Sequence, residues 1–180
     1  MGQYHTDMGV RKMNTLTIVH DFLRRHVRPG AFCIDATAGR GRDTALLCRL
    51  AGEQGRVLAF DIQDDAIRQT RALLASEGLR AEVIQDNHAN MAQYAAPGTV
   101  DCIVFNFGRL PGGDPKIFTT AASSLPAIDA GLDLLRPGGI MALALYYGKE
   151  NGYDEKNAIL SHLKSINDRI FTVLACDWLN

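Results

Sequence analysis

The sequence predicts an α/β fold: a mostly parallel sheet flanked by helices, wound outward in both directions from a central strand. Three observations predict it. Short apolar runs alternate with segments of helical period along the 180 residues. A glycine-rich turn, Gly39-Arg-Gly41, joins the first apolar run to a helix. The next apolar run, Val57-Leu-Ala-Phe-Asp61, closes on an acid.

Each element follows from its pattern. Residues 14–27 place Leu16, Val19, Phe22, Leu23 and Val27 at helical spacing, and Pro29-Gly30 stops that helix. Residues 31–36 read as the first strand, 44–51 as the helix after the glycine turn, and 56–61 as the second strand. Residues 65–77 form a helix with Ala66, Ile67, Thr70, Leu73 and Leu74 on one face, ended by Gly78. Third and fourth strands are expected at 81–85 and 100–105, then a Pro- and Gly-rich loop at 106–116. A helix at 124–135 ends in Arg136-Pro-Gly-Gly. The fifth strand, 140–147, is almost continuously apolar, as a parallel strand buried on both faces should be. A helix at 157–166 and a sixth strand at 170–178 complete the set. Residues 1–13 read as a flexible arm and 14–180 as a single domain, with no internal repeat.

Composition narrows the function classes. The chain is 47% hydrophobic and 22% charged, as soluble globular proteins are. Its 19 basic and 20 acidic residues leave a net charge of −1, so a nucleic acid would have to be met by a local patch. No stretch approaches a membrane span and no signal-peptide pattern opens the chain, so a cytoplasmic protein without a membrane partner is expected. The cysteines, Cys33, Cys48, Cys102 and Cys176, form no CxxC pair and read as free buried thiols. The five histidines are scattered, so no metal is expected.

The chemistry of the glycine turn selects a ligand. A dinucleotide site needs a third glycine for close helix packing and a pyrophosphate on the helix N-terminus. Here Thr44 stands at the third position, and Asp35 and Asp43 flank the loop. Two carboxylates would repel a pyrophosphate but suit a ligand with a cationic end. S-adenosylmethionine (SAM) has a sulfonium, an ammonium and a ribose. Asp61 lies 20 residues past Gly41, where an acid can accept both ribose hydroxyls. Asp43 also has the bland reading of a helix N-cap.

Ligands of such folds sit beyond the carboxyl ends of the strands, where the other candidates fall. Asn106 ends the fourth strand and could accept a hydrogen bond from an amino group, turning its lone pair toward a methyl. Asp86, Asn87 and His88 follow the third strand, where an acid or amide could meet adenine and the histidine could act as base. Tyr146, Tyr147 and Lys149 close the fifth, where aromatics could stack on a base and a lysine meet phosphate. Arg40, Arg42, Arg109 and Lys116 would form a local basic rim.

Four segments carry a more specific resemblance: Asp35-Ala-Thr-Ala-Gly-Arg-Gly-Arg-Asp-Thr44, Ala59-Phe-Asp-Ile-Gln63, Asn106-Phe-Gly-Arg-Leu-Pro-Gly-Gly-Asp114 and Tyr147-Gly-Lys-Glu-Asn-Gly152. The chain resembles the small bacterial class I SAM-dependent methyltransferases of the YtqB type, grouped as rRNA methylases. The resemblance implies a Rossmann-like methyltransferase fold. That class usually adds a seventh, antiparallel strand, which is expected to be missing here. It also implies methylation of the aminomethyl group of 5-aminomethyl-2-thiouridine at the tRNA wobble position, ahead of an rRNA or a small molecule. SAM would be surrounded by Asp35, Thr37, Gly39, Gly41, Asp43, Thr44, Asp61, Ile62, Gln63, Asp86, Asn87, His88 and Asn106. Asn106 and His88 would be catalytic, and Phe107, Arg109, Asp114, Tyr147 and Lys149 would face the substrate. Arg40, Arg109 and Lys149 replace an asparagine, a tyrosine and a histidine common in the family, adding or strengthening positive charge at the rim. A monomer or homodimer is expected. A non-catalytic SAM-binding protein and an NAD-binding module are the competing readings.

Overall fold

A computed structural model describes residues 13–114, 116–148 and 152–178. The expected arm, 1–13, lies outside them except for Met13, and Lys149 lies outside them too.

The chain begins with α1 (Thr15–His26), whose first turn is closed by Asn14 accepting the Thr17 N–H at 2.8 Å. Then β1 (Phe32–Asp35), α2 (Arg42–Ala51), β2 (Arg56–Asp61), α3 (Asp64–Ser76) and β3 (Glu82–Gln85) follow in strict alternation. A 3₁₀ turn, His88–Gln93, leads to β4 (Val100–Phe107), α4 (Ala121–Leu134), β5 (Leu135–Leu145) and α5 (Tyr153–Lys164). The strand order is β3-β2-β1-β4-β5, and every pair is parallel. The winding reverses between β1 and β4, which opens a crevice at their carboxyl ends.

Side-chain alternation divides the core between the two faces. Cys102 and Val104 of β4 pack with Leu23, Leu46, Leu47 and Leu74 of α1, α2 and α3. Ile103, Phe105 and Phe107 pack with Ile128, Leu134 and Ile159 of α4 and α5. The same period decides what stands at the end of β4. Asn106 turns toward the α2 side, whereas Phe107 turns into the α4–α5 core and is 1% exposed. Phe107, expected at the substrate, is therefore a core residue.

The sixth strand is not formed. Residues 171–178 carry no helix or strand, and Ile170 and Leu174 are 69% and 85% exposed. Their apolar pattern suits a strand, but a strand also needs a ladder partner. Side chains tether the segment instead: Trp178 Nε1 donates to Thr15 Oγ1 at 3.1 Å, and Lys156 lies 3.6 Å from Asp177. Cys33, Cys48 and Cys102 are buried, and Cys176 is exposed. α4 starts three residues earlier than predicted because Thr120 and Ser123 form a capping box.

Candidate functional site

The crevice is a cleft of about 900 Å³ at the carboxyl ends of the strands. One half is built from the glycine turn and the ends of β2 and β3. The other is built from the 108–119 loop, the end of β5 and the start of α5.

The glycine turn is shaped by two left-handed residues, Gly39 (φ 53°) and Gly41 (φ 76°). Gly41 has a second constraint: a Cβ there would stand 2.9 Å from the Thr70 Cα, so α3 packs directly against the turn. Asp61 closes the turn from β2. Its carboxylate accepts the Gly39 N–H and the Gln63 N–H, both at 2.9 Å, and still lines the cleft.

Asp43 is the hub of the site. It stands in the first turn of α2, but Gly41 is the N-cap, and the carboxylate pairs with side chains from outside the helix. His20 Nε2 meets Oδ1 at 2.5 Å and Asn106 Nδ2 meets Oδ2 at 2.6 Å. Asp43 is only 5% exposed. A carboxylate only accepts, so the NH₂ of Asn106 is the group turned to it. The amide carbonyl is then the acceptor left to the cleft, which Asn106 lines. The Asn106 backbone N–H is pinned by Thr37 Oγ1 at 2.7 Å, across the switch point.

Asp35 and Thr44 lie beneath the turn, fully buried, and do not line the cleft. Thr44 donates to Asp35 at 2.6 Å, and the Thr37 N–H donates to its other oxygen at 3.2 Å. Burial first, and then the charge of Asp43, push the Asp35 carboxyl up to about 7. Between the unfolded carboxyl value and about 7, the folded state holds a proton that the unfolded state has lost. Stability of the ligand-free protein is therefore expected to fall as pH rises through that window and to level off above it. The effect is on the order of 4 kcal/mol, at about 1.4 kcal/mol per pH unit. Urea unfolding at pH 5 and pH 7.5 checks it: Asp35→Asn should remove most of the slope, and an equal slope in the variant contradicts it.

Behind β3, Asp86 accepts from the Asn87 N–H, Asn90 Nδ2 and the Tyr94 hydroxyl at 2.7–2.8 Å. The Asn90 bond first, then that of Tyr94, hold its carboxyl below the usual range. Asp86 thus anchors the 3₁₀ turn, and Asn87 caps it by accepting the Ala89 N–H. His88 is buried edge-on to Phe105 and Phe107. Its Nδ1 faces the Ala36 carbonyl at 3.2 Å and so carries the proton. Nε2 is then a bare acceptor, without a partner among the described residues. Burial lowers the pKa, so His88 is a weaker base than an ordinary imidazole.

Of the expected cofactor contacts, Thr37, Gly39, Asp43, Asp61, Ile62, Gln63, Asp86, Asn87, His88 and Asn106 line the cleft. Asp35, Gly41 and Thr44 support the turn from behind instead. In the other half, Arg109 and Tyr147 line the cleft with Phe118 and Tyr146. One face of Tyr147 is already covered by the Lys156 ammonium, 3.6 Å from the ring centroid. Asp114 is exposed outside the cleft, closing a local turn onto the Lys116 N–H. Arg40 bridges the halves by donating to the Pro111 carbonyl at 2.8 Å.

Two site residues had no signature in the sequence. His20 comes from α1, 23 residues before the carboxylate it meets. Glu155, 7% exposed, accepts from Thr119 at 3.0 Å and Ser124 at 2.5 Å, tying the loop to α4 and α5. Both are defined by long-range contacts, which no local pattern reveals. Among the described residues no three His, Cys, Asp or Glu are grouped to hold a metal, and no helix is long and apolar enough to cross a membrane.

A 3-2-1-4-5 parallel sheet with an acid ending β2 and an asparagine beside the last residue of β4 is the arrangement of a class I SAM-dependent methyltransferase. The family described as "Putative rRNA methylase" matches residues 57–180. The chain belongs to that family. A crystal structure described as a "putative rRNA-methylase" from Clostridium thermocellum superposes with a TM-score of 0.90 at 38% identity, covering 94% of this chain and 92% of that one. A "putative methyltransferase" from Streptococcus mutans, solved in complex with SAH, superposes at 0.83 with 32% identity, covering 94% of each chain. The chloroplastic tRNA (mnm(5)s(2)U34)-methyltransferase of Arabidopsis thaliana is 31% identical over 153 residues, covering 79% of this chain and 56% of that protein. The chain thus spans about half the length of this curated relative.

Proposed function

We propose that the chain transfers a methyl group from SAM to a primary amine on tRNA, the aminomethyl nitrogen of 5-aminomethyl-2-thiouridine at the wobble position. The observation that carries the reading is the Asn106 amide, held by Asp43 with its carbonyl left to the cleft. The name of the Arabidopsis relative supports the tRNA substrate. Arg40, Arg42 and Arg109 line the cleft with the exposed rings of Phe118 and Tyr146, a composition suited to a phosphate backbone and a stacked base.

The cofactor half fits SAM. Asp61 can accept from ribose hydroxyls, Asp43 offers negative charge to a cation, and the Nε2 of His88 is a buried acceptor that finds no donor among the described residues. When bound, SAM supplies an electrophilic methyl on a positively charged sulfur. An alkyl amine enters mostly protonated and must give one proton to water in the open cleft before it attacks. Asn106 Oδ1 then accepts a remaining N–H and points the nitrogen lone pair at the methyl. With SAM bound, the new C–N bond would form as the C–S bond breaks, the bonding pair going to sulfur. The product leaves as a secondary ammonium.

The test offers labelled SAM with tRNA from cells lacking the modification and, separately, with rRNA. Label is expected in tRNA. Label confined to rRNA, or none in either RNA while SAM binds, would overturn the reading.

A further inference from the structure

We infer that His20 is a positioning residue of the methyl-transfer site: through Asp43 it fixes the Asn106 amide with its carbonyl toward the acceptor. The inference rests on the proposed amine methylation, and its test includes a readout that does not depend on it.

Three contacts carry it. His20 Nε2 to Asp43 Oδ1 is 2.5 Å, Asp43 Oδ2 to Asn106 Nδ2 is 2.6 Å, and the Asn106 N–H to Thr37 Oγ1 is 2.7 Å. The carboxylate is shared, one oxygen to each partner, and is almost fully buried. A carboxylate can rotate, so one donor does not hold it. With His20 on Oδ1, only Oδ2 remains for Asn106, and the amide has a single orientation that satisfies both groups. Nε2 must carry the hydrogen, because its partner only accepts. Without that donor, Oδ1 would be left buried and unsatisfied, and the carboxylate would turn to share the Asn106 NH₂ or draw in water. Either change moves the amide carbonyl. Displacements of about 1 Å at a reacting centre can cost roughly 10²-fold in rate.

The placement of α1 supports the assignment. Leu16, one turn before His20 and on the same helix face, lines the cleft. Val19 and Leu23 bury a neighbouring face of α1 in the core and hold the helix in place. A helix outside the nucleotide-binding β–α–β unit therefore completes the acceptor geometry.

The test separates the donor from the bulk. His20→Gln keeps an N–H near the Nε2 position, and His20→Leu keeps volume without a donor. Folding of each is checked by thermal melting; where His20→Leu does not fold, His20→Asn, whose amide reaches only to the Nδ1 position, takes its place. In methyl transfer to tRNA, His20→Leu is expected to lower kcat about 10- to 100-fold with the SAM Kd within about 3-fold, and His20→Gln to recover most of the loss. Wild-type kcat in His20→Leu, or no recovery in His20→Gln, would overturn the inference. The second readout is the side-chain amide of Asn106 in ¹⁵N NMR with SAM alone, assigned by its loss in Asn106→Asp. Its protons are expected to exchange slowly in the wild type and His20→Gln and faster in His20→Leu. Unchanged exchange in His20→Leu would overturn the inference even if tRNA proves not to be the substrate.

Discussion

Asn106→Ala is expected to lower kcat by roughly 10²- to 10³-fold while leaving the SAM Kd within about 3-fold. The reason lies in what the side chain does on each side. Its NH₂ is spent on Asp43, and only its carbonyl is offered to the cleft. Truncation removes the group that orients the acceptor nitrogen but leaves Asp61, Gly39 and the 3₁₀ turn in place for the cofactor. Asn106→Asp should fare no better, although it restores an acceptor. Its carboxylate would face that of Asp43 at hydrogen-bond distance in a buried site, where like charges repel strongly. Single-turnover kinetics with SAM titration checks both variants. Full activity in Asn106→Ala would remove the residue from the mechanism.

Asp61→Ala is expected to weaken SAM binding by about 10²-fold or more. Hydrogen bonds to a charged acceptor contribute about 1.5–3 kcal/mol each, and ribose would supply two. The carboxylate also organises the turn, because it accepts the Gly39 and Gln63 N–H groups at 2.9 Å. Asp61→Asn tests this second role. One oxygen of the amide can replace one carboxylate oxygen, but the NH₂ must then face the other backbone N–H. Two donors facing each other destabilise the turn, so Asp61→Asn should bind SAM nearly as poorly as Asp61→Ala. Calorimetric titration checks it, and near-native affinity in Asp61→Asn would contradict the argument.

How much of this was legible in the sequence follows from which contacts are local. The glycine turn and Asp61 were legible because the strand–turn–helix pattern and the acid ending β2 are set by short-range chemistry. Asn106 was legible as the polar residue that interrupts an apolar run. Its neighbour Phe107 was misjudged because β4 continues two residues past the predicted end, so strand alternation points Phe107 into the α4–α5 core. The sixth strand was misjudged for another reason. Residues 170–178 have the composition of a strand, but pairing is a tertiary event that composition does not supply. Asp35 was read correctly as part of the turn and wrongly as a ligand contact, since its burial depends on β2 and β4 packing on both sides. Asp43 looked like a helix cap because Thr44-Ala-Leu-Leu follows it. Its actual partners, His20 and Asn106, lie 23 and 63 residues away.

The central claim is that an amine on tRNA receives the methyl at Asn106. It is tested most directly by mass spectrometry of nucleosides from hypomodified tRNA incubated with the protein and SAM carrying a deuterated methyl. 5-Aminomethyl-2-thiouridine is expected to be converted to its methylaminomethyl form bearing one deuterated methyl on the exocyclic nitrogen, and Asn106→Ala to abolish most of the conversion. A deuterated methyl found on a ring atom, on ribose or on another nucleoside, with the aminomethyl nucleoside unchanged, would contradict it.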